Sequence, residues 1–210
     1  MLKNIEVLYH SSIRIEEGNV IYIDPFKIES SYSDADIIFI THDHYDHFSE
    51  DDIDVIRENS TVIIVPQGMK DKALRSGFKE DYIIAVEPGK SYNIGDIMFE
   101  TVPAYNINKV FHPKENGWVG YVLEIKGVRY YIAGDTDKNE ENSKVECDVA
   151  FVPVGGTYTM DAKEAAELVN EIKPKIAVPI HYGSIVGTKK DAIDFVDLLS
   201  KDIEGRILMK

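Results

Sequence analysis

Short apolar runs separated by turn signals cover most of this chain, and their period is that of strands. Ile5–Tyr9, Ser12–Glu16 and Val20–Ile23 read as a meander, with Glu17-Gly18-Asn19 as a hairpin turn. Residues 37–40 and 62–65 and the run Ile83–Val86 are rich in β-branched side chains without alternation, the pattern of strands buried on both faces. Ser91–Ile94 and 97–102 flank Gly95-Asp96, and 118–125 and 128–133 flank Lys126-Gly127, which predicts two more hairpins. Residues 149–152, Ile176–Ile180 and 206–209 complete the predicted strands.

A helical period occurs in four places. Ser49, followed by three acids, opens a helix expected over 49–58, with Ile53, Val55 and Ile56 as apolar contacts. A shorter one is expected over 68–76, closed by Gly77. Asp161-Ala162-Lys163-Glu164 reads as a capping box opening a helix whose stripe is Ala165, Leu168, Val169 and Ile172, with Pro174 beyond its end. The fourth is expected over 191–200, with Ile193, Phe195, Val196 and Leu199 as its apolar side. Many strands and few helices predict an α/β fold with sheets inside and helices outside. No Pro/Gly/Ser linker, repeat or low-complexity tract divides the chain, so a single domain over 1–210 is expected.

Composition narrows the function classes. The formal net charge of −14, with no run of Lys and Arg, disfavours nucleic acid as a partner. A single cysteine, Cys147, excludes an intrachain disulfide; beside Glu146 and Asp148 it reads as a small packed residue rather than a nucleophile. No segment approaches the roughly 20 apolar residues that span a bilayer, and the first residues lack the apolar stretch of a secretory signal. A cytoplasmic protein without a membrane partner is expected, and the subunit count, including a homo-oligomer, is left open.

Candidate chemistry is concentrated in Thr41-His42-Asp43-His44-Tyr45-Asp46-His47, which holds three of the six histidines. Imidazole nitrogens and carboxylate oxygens suit zinc and other first-row divalent metals. The cluster follows an apolar strand and precedes a helix, so one loop can present two faces, enough for two ions. Asp135, after 128–133, and His181, after Ile176–Ile180, are each the first strongly coordinating residue past a buried-looking strand. If those strands are neighbours, the loops meet at one sheet edge. Each has a plain alternative, Asp135 as a turn residue and His181 as a hydrogen-bonded loop histidine.

The pattern His42-x-His44-x-Asp46-His47, then Gly134-Asp135-Thr136, then Ile180-His181-Tyr182-Gly183, resembles the metallo-β-lactamase-fold superfamily of metal-dependent hydrolases. His10-Ser11-Ser12, Ile23-Asp24-Pro25-Phe26 and Val178-Pro179-Ile180-His181 look like its ascorbate-phosphate-lactonase-like branch. The resemblance implies a four-layer αββα sandwich, two mixed sheets face to face with helices outside. It implies His42 and His44 on one metal, Asp46, His47 and His181 on the other, and Asp135 bridging. It also implies a further histidine for the first metal near 102–106, where this chain has Val-Pro-Ala-Tyr-Asn.

His112 is the only histidine in that region, a candidate ligand, substrate contact or solvated side chain. Tyr105 is a candidate ligand or oxyanion donor, or a packed tyrosine. Asp24 is a candidate partner for a ligand histidine. His10 is a candidate proton donor, or simply a strand-end histidine.

The resemblance implies a metal-dependent hydrolase in which a metal-bound hydroxide, oriented by Asp46 or Asp135, attacks a small-molecule ester, lactone or phosphodiester. His112, His10 or Tyr105 would stabilise charge or protonate the leaving group. Zinc, as one or two ions, is the first choice; manganese, iron and nickel fit the same donors. Redox di-iron relatives tend to carry glutamate at the position of His44, which favours hydrolysis. The competing readings are a non-catalytic metal-binding or regulatory protein of the same fold, and a nuclease of the same superfamily, against which the charge counts. Lys114 and Trp118, in the turn-rich stretch 111–120, are candidates for reading an anionic or cyclic substrate, with Trp118 alternatively opening a packed strand.

Overall fold

The N-terminal meander forms as its alternation predicts. β1 (Ile5–Tyr9), β2 (Ser12–Glu16) and β3 (Val20–Ile23) pair antiparallel in sequence order. From β3 onward the pairing becomes parallel, through β4 (Ala35–Phe39), β5 (Arg57–Pro66) and β6 (Ile83–Val86), in the sheet order β1-β2-β3-β4-β5-β6. Helix α1 (Glu50–Ile56) links β4 to β5, and α2 (Lys70–Arg75), entered through a 3₁₀ turn at Gln67–Met69, links β5 to β6. This computed structural model describes residues 1–29 and 33–209. Met1–Glu87, with Met209, and Pro88–Leu208 are two compact units, and each is built around its own sheet.

In the first unit, Tyr22, Ile38, Ile40, Ile63 and Val65 cluster with Ile53 and Ile56 of α1 and Met69 and Ala73 at α2. The opposite sheet face is buried too, through Ile21, Ile23, Ile37, Phe39 and Ile64, which is why these strands read as continuous apolar runs. The Ser49 side chain caps α1 by accepting from the Asp52 N–H, with acids in the first turn. The helix stops at Ile56 rather than Glu58, because Arg57 adopts extended angles and opens β5 opposite Ala35.

The second unit contains β7 (Ser91–Ile94), β8 (Ile97–Pro103), β9 (Val119–Ile125), β10 (Val128–Ile132), β11 (Val149–Pro153), α3 (Ala162–Ile172), β12 (Ile176–Ile180), α4 (Lys189–Asp197) and β13 (Glu204–Gly205). Its sheet order is β13-β12-β11-β10-β9-β8-β7. β7 to β10 are antiparallel neighbours, and β10 to β13 are parallel. Helix α3 packs on β11 and α4 on β12.

Three expectations need correction here. The last strand is β13, two residues paired with Ile176 and Ala177; residues 206–209 form none. The capping box at α3 is half made: Asp161 accepts from the Glu164 N–H at 2.8 Å, but Glu164 accepts instead from the Lys138 N–H at 2.9 Å. The complete box lies at α4, where Thr188 and Asp191 exchange hydrogen bonds. The buried side of α4 is Ala192 and Phe195, whereas Ile193 is exposed.

One glycine sets the spacing of this sheet. A Cβ on Gly120, in β9, would lie 2.6 Å from the carbonyl oxygens of both Ile132 and Ala133. Gly120→Ala is therefore expected to cost about 1–3 kcal/mol by forcing backbone apart, seen as a lower thermal midpoint. Cys147 is half-buried and its thiol is pushed up to about 12, chiefly by burial and then by Asp148, which fits a packed residue. Among the described residues no helix is long and apolar enough to cross a membrane.

Strand direction decides where chemistry can collect. In the first sheet β1, β3 and β4 point the same way, so the residues after them, His10, Asp24 and His42, emerge at one edge. In the second sheet β8, β10, β11 and β12 share a direction, so Tyr105 and Asn106, Asp135, Gly155 and His181 emerge at one edge. Loops at the C-terminal ends of such strands are held by the sheet, which gives rigid positions to the side chains they carry.

Candidate metal centre

In the first unit the site grows out of the parallel pair β3 and β4. The Asp24 N–H donates to the Phe39 carbonyl at 3.0 Å, which seats Asp24 beside Thr41. Asp24 is buried and takes three donors: Thr41 N–H at 2.8 Å, Thr41 Oγ1 at 2.6 Å and His47 Nδ1 at 2.7 Å. These contacts fix two ring tautomers. A carboxylate only accepts, so His47 carries a proton on Nδ1, and the neutral ring has its lone pair on Nε2. The single Thr41 hydroxyl proton goes to Asp24, so at 3.0 Å Thr41 Oγ1 accepts from His42 Nδ1, and His42 Nε2 also keeps its lone pair.

His42 Nε2 lies 3.1 Å from His44 Nδ1, and the His42 ring lies 3.9 Å, centroid to centroid, from that of His47. Asp46 Oδ2 faces two imidazoles, His47 Nε2 at 3.6 Å and His10 Nε2 at 3.4 Å. His10 is fully buried in a left-handed backbone conformation, φ +53°, and its N–H donates to Met209 Sδ at 3.2 Å. Tyr45, by contrast, is 66% exposed, while Asp46 and His47 on the same loop are buried.

In the second unit Asp135 follows Gly134, whose φ is +66°. Asp135 Oδ2 faces His181 Nε2 at 3.0 Å and His112 Nε2 at 3.4 Å. His181 also has a left-handed backbone, φ +59°, and a Cβ on Gly155 would collide with its carbonyl oxygen, so the loop after β12 needs glycine beside it. His112 is buried, not solvated. Its Nδ1 lies 3.0 Å from Asn106 Oδ1 and its ring lies 5.5 Å from that of Trp118. Trp118 is itself buried and backs His112, as a packed residue leading into β9.

Tyr105 and Lys114 are placed differently from expectation. The Tyr105 hydroxyl donates to Glu141 Oε2 at 2.7 Å, and Lys114 pairs with Glu141 Oε1 at 2.6 Å above the tyrosine ring. Burial first, and then the Glu141 hydrogen bond, hold the phenol above its usual range. The Tyr105 hydroxyl is thus engaged by Glu141, as a packed tyrosine's would be. Sequence reasoning passed over Asn106 and Asp137. Asn106 stood where a histidine was sought, and the only signal for Asp137 was its position two residues after Asp135.

The donor set fits a divalent metal. Nitrogen and oxygen ligands at about 2.0–2.2 Å in a tetrahedron stand roughly 3.3–3.6 Å apart. The donor pairs within each unit, at 3.1, 3.4 and 3.6 Å in the first and 3.0 and 3.4 Å in the second, match that edge. Groups of His and Asp able to hold an ion draw on His10, His42, His44, Asp46 and His47 in the first unit and His112, Asp135 and His181 in the second.

Known proteins give the same direction. A family model described as the Beta-lactamase superfamily domain matches residues 4–181. A UPF0173 metal-dependent hydrolase of Staphylothermus marinus is 33% identical over 89% of this chain and 80% of its own length. Another, from Lysinibacillus sphaericus, is 30% identical over 93% of this chain and 92% of its own. A crystal structure described as a metal-dependent hydrolase of Parabacteroides distasonis aligns with a TM-score of 0.83 and 30% identity, covering 98% of this chain and 93% of that one. The α/β arrangement of two mixed sheets with helices is the metallo-β-lactamase fold. With buried imidazoles and carboxylates at the strand ends of both sheets, the chain belongs to the beta-lactamase superfamily, among its UPF0173 metal-dependent hydrolases.

Proposed function

We propose that this metal-dependent hydrolase acts on a small-molecule ester, lactone or phosphodiester, with two zinc ions as the working set. His42, His44 and His112 would hold one ion and Asp46, His47 and His181 the other, with Asp135 as the ligand common to both. The observation that carries this is tautomeric: His42, His47 and His112 each have Nδ1 committed to an acceptor, so in the neutral rings Nε2 is the coordinating nitrogen. Manganese, iron and nickel suit the same donors. A bound divalent ion lowers the pKa of its water from near 16 to roughly 7 and polarises a carbonyl or phosphoryl oxygen.

The chain's own groups do the rest. Asp46 and Asp135 accept from the attacking water and orient it. His10, 3.4 Å from Asp46, would pass a proton to the leaving group. The family match at 4–181 runs through both units and supports reading the chain as one catalytic domain. The lactone option rests on the motifs around His10, Asp24 and His181, and a net charge of −14 favours small molecules over nucleic acid. The lone cysteine accords with a cytoplasmic location.

The test is a panel of lactones, carboxylic esters and phosphodiesters assayed with metal analysis. Two equivalents of metal and hydrolysis lost to a chelator and restored by zinc are expected. Turnover of none of the three classes by fully loaded protein would refute the substrate assignment.

A further inference from the structure

The loop that carries His112 is fastened to the segment just after Asp135. Thr136 Oγ1 accepts from the Tyr105 N–H at 3.1 Å, and the Asp137 N–H donates to the Tyr105 carbonyl at 3.0 Å. The buried Asp137 carboxylate takes Asn106 Nδ2 at 3.0 Å on Oδ1 and the Ile107 N–H at 2.9 Å on Oδ2, and pairs with Lys109. Glu141 completes the set through Tyr105 and Lys114.

Asn106 is the pivot. Its amide nitrogen faces two acceptors, Asp137 Oδ1 and the Tyr158 carbonyl at 2.9 Å, so its orientation is fixed; the flipped amide would set oxygen against oxygen at both. Asn106 Oδ1 therefore points at His112 and accepts from its N–H at 3.1 Å and its ring Nδ1 at 3.0 Å. The Asn106 N–H in turn donates to the His112 carbonyl at 2.8 Å, which closes the loop on itself. The neutral ring form that satisfies this arrangement has its proton on Nδ1, which leaves Nε2, on the side of Asp135, as the coordinating nitrogen.

We infer that Asn106, locked by Asp137, is a positioning residue that makes His112 a metal ligand in this chain. Residues 102–106 thus serve the first ion without a histidine: Asn106 selects the tautomer of one delivered from six residues further along. The inference rests on the ligand set proposed above. Asp137 and Lys109 act one step further out, by keeping Asn106 and its loop in register with Asp135.

The test is long-range proton–nitrogen NMR of the metal-free protein, joined to zinc competition titrations of the wild type, Asn106→Ala and His112→Ala. The wild type is expected to show His112 protonated on Nδ1, its signals assigned by their loss in His112→Ala. Asn106→Ala is expected to weaken one of the two ions by about 10–100-fold and leave the other unchanged. A neutral wild-type His112 protonated on Nε2 alone, or an Asn106→Ala protein that holds both ions as tightly as the wild type, would overturn the inference. If His112→Ala itself binds two ions at wild-type affinity, the ligand set is what fails. If it loses one while Asn106→Ala loses none, the ligand set stands and only the role of Asn106 falls. Should Asn106→Ala not fold, the wild-type tautomer still decides.

Discussion

Asp135→Ala should leave a folded protein that no longer hydrolyses its substrate. Asp135 is buried on the loop beyond β10, but its carboxylate faces imidazoles rather than the apolar side chains of the sheet, so its removal costs little packing. What it removes is the one oxygen that faces both His112 and His181. Outer partners of metal ligands typically cost about 10–100-fold, and a bridging ligand should cost more. His42→Ala should behave alike, since Thr41 holds its ring in the donor form. Far-UV circular dichroism should match the wild type while metal content and turnover collapse together. Normal turnover in either variant would refute the site.

Asp24→Ala should produce the largest loss of stability. Three buried donors, the Thr41 N–H, the Thr41 hydroxyl and His47 Nδ1, end on this one carboxylate. Alanine leaves all three facing a void, and breaking such a buried polar set costs about 3–5 kcal/mol. For a chain of this size that is a fall of roughly 10 °C in the thermal midpoint of the metal-free protein. Asp24→Asn separates the two duties of the carboxylate: it fills the space and retains one acceptor, but it sets a donor against Thr41 Oγ1 or His47 Nδ1. Its midpoint should therefore fall less than that of Asp24→Ala, while metal affinity still drops because His47 loses its fixed tautomer. A midpoint for Asp24→Ala within about 2 °C of the wild type would contradict this account.

Strand periods and ligand types were legible in the chain because they are local. Ile5–Tyr9 and Ser12–Glu16 alternate as strands of a meander do, and His42-x-His44-x-Asp46-His47 offers too many coordinating groups for a packed loop. Element ends were less legible because partners set them. Arg57 leaves the helix to pair with β4, and β13 is two residues long because only Ile176 and Ala177 face it. Apolar spacing misassigned Ile193, which is exposed, because α4 turns Ala192 and Phe195 inward instead.

The residues that orient ligands were hardest to see. Asp24 came within reach through its Asp-Pro motif and its place after a strand. Asn106 and Asp137 act across about thirty residues of chain, and an amide and an acid in loops carry no periodic signal. Tyr105 drew attention because it stood near a missing histidine; its hydroxyl is taken by Glu141.

Crystals grown with zinc and measured on both sides of its absorption edge give the most direct test of the central proposal. Two anomalous peaks are expected, one within about 2.2 Å of donor atoms from His42, His44 and His112, the other likewise from Asp46, His47 and His181, with Asp135 touching both. Zinc bound elsewhere, or no peak beside Asp135, would contradict it.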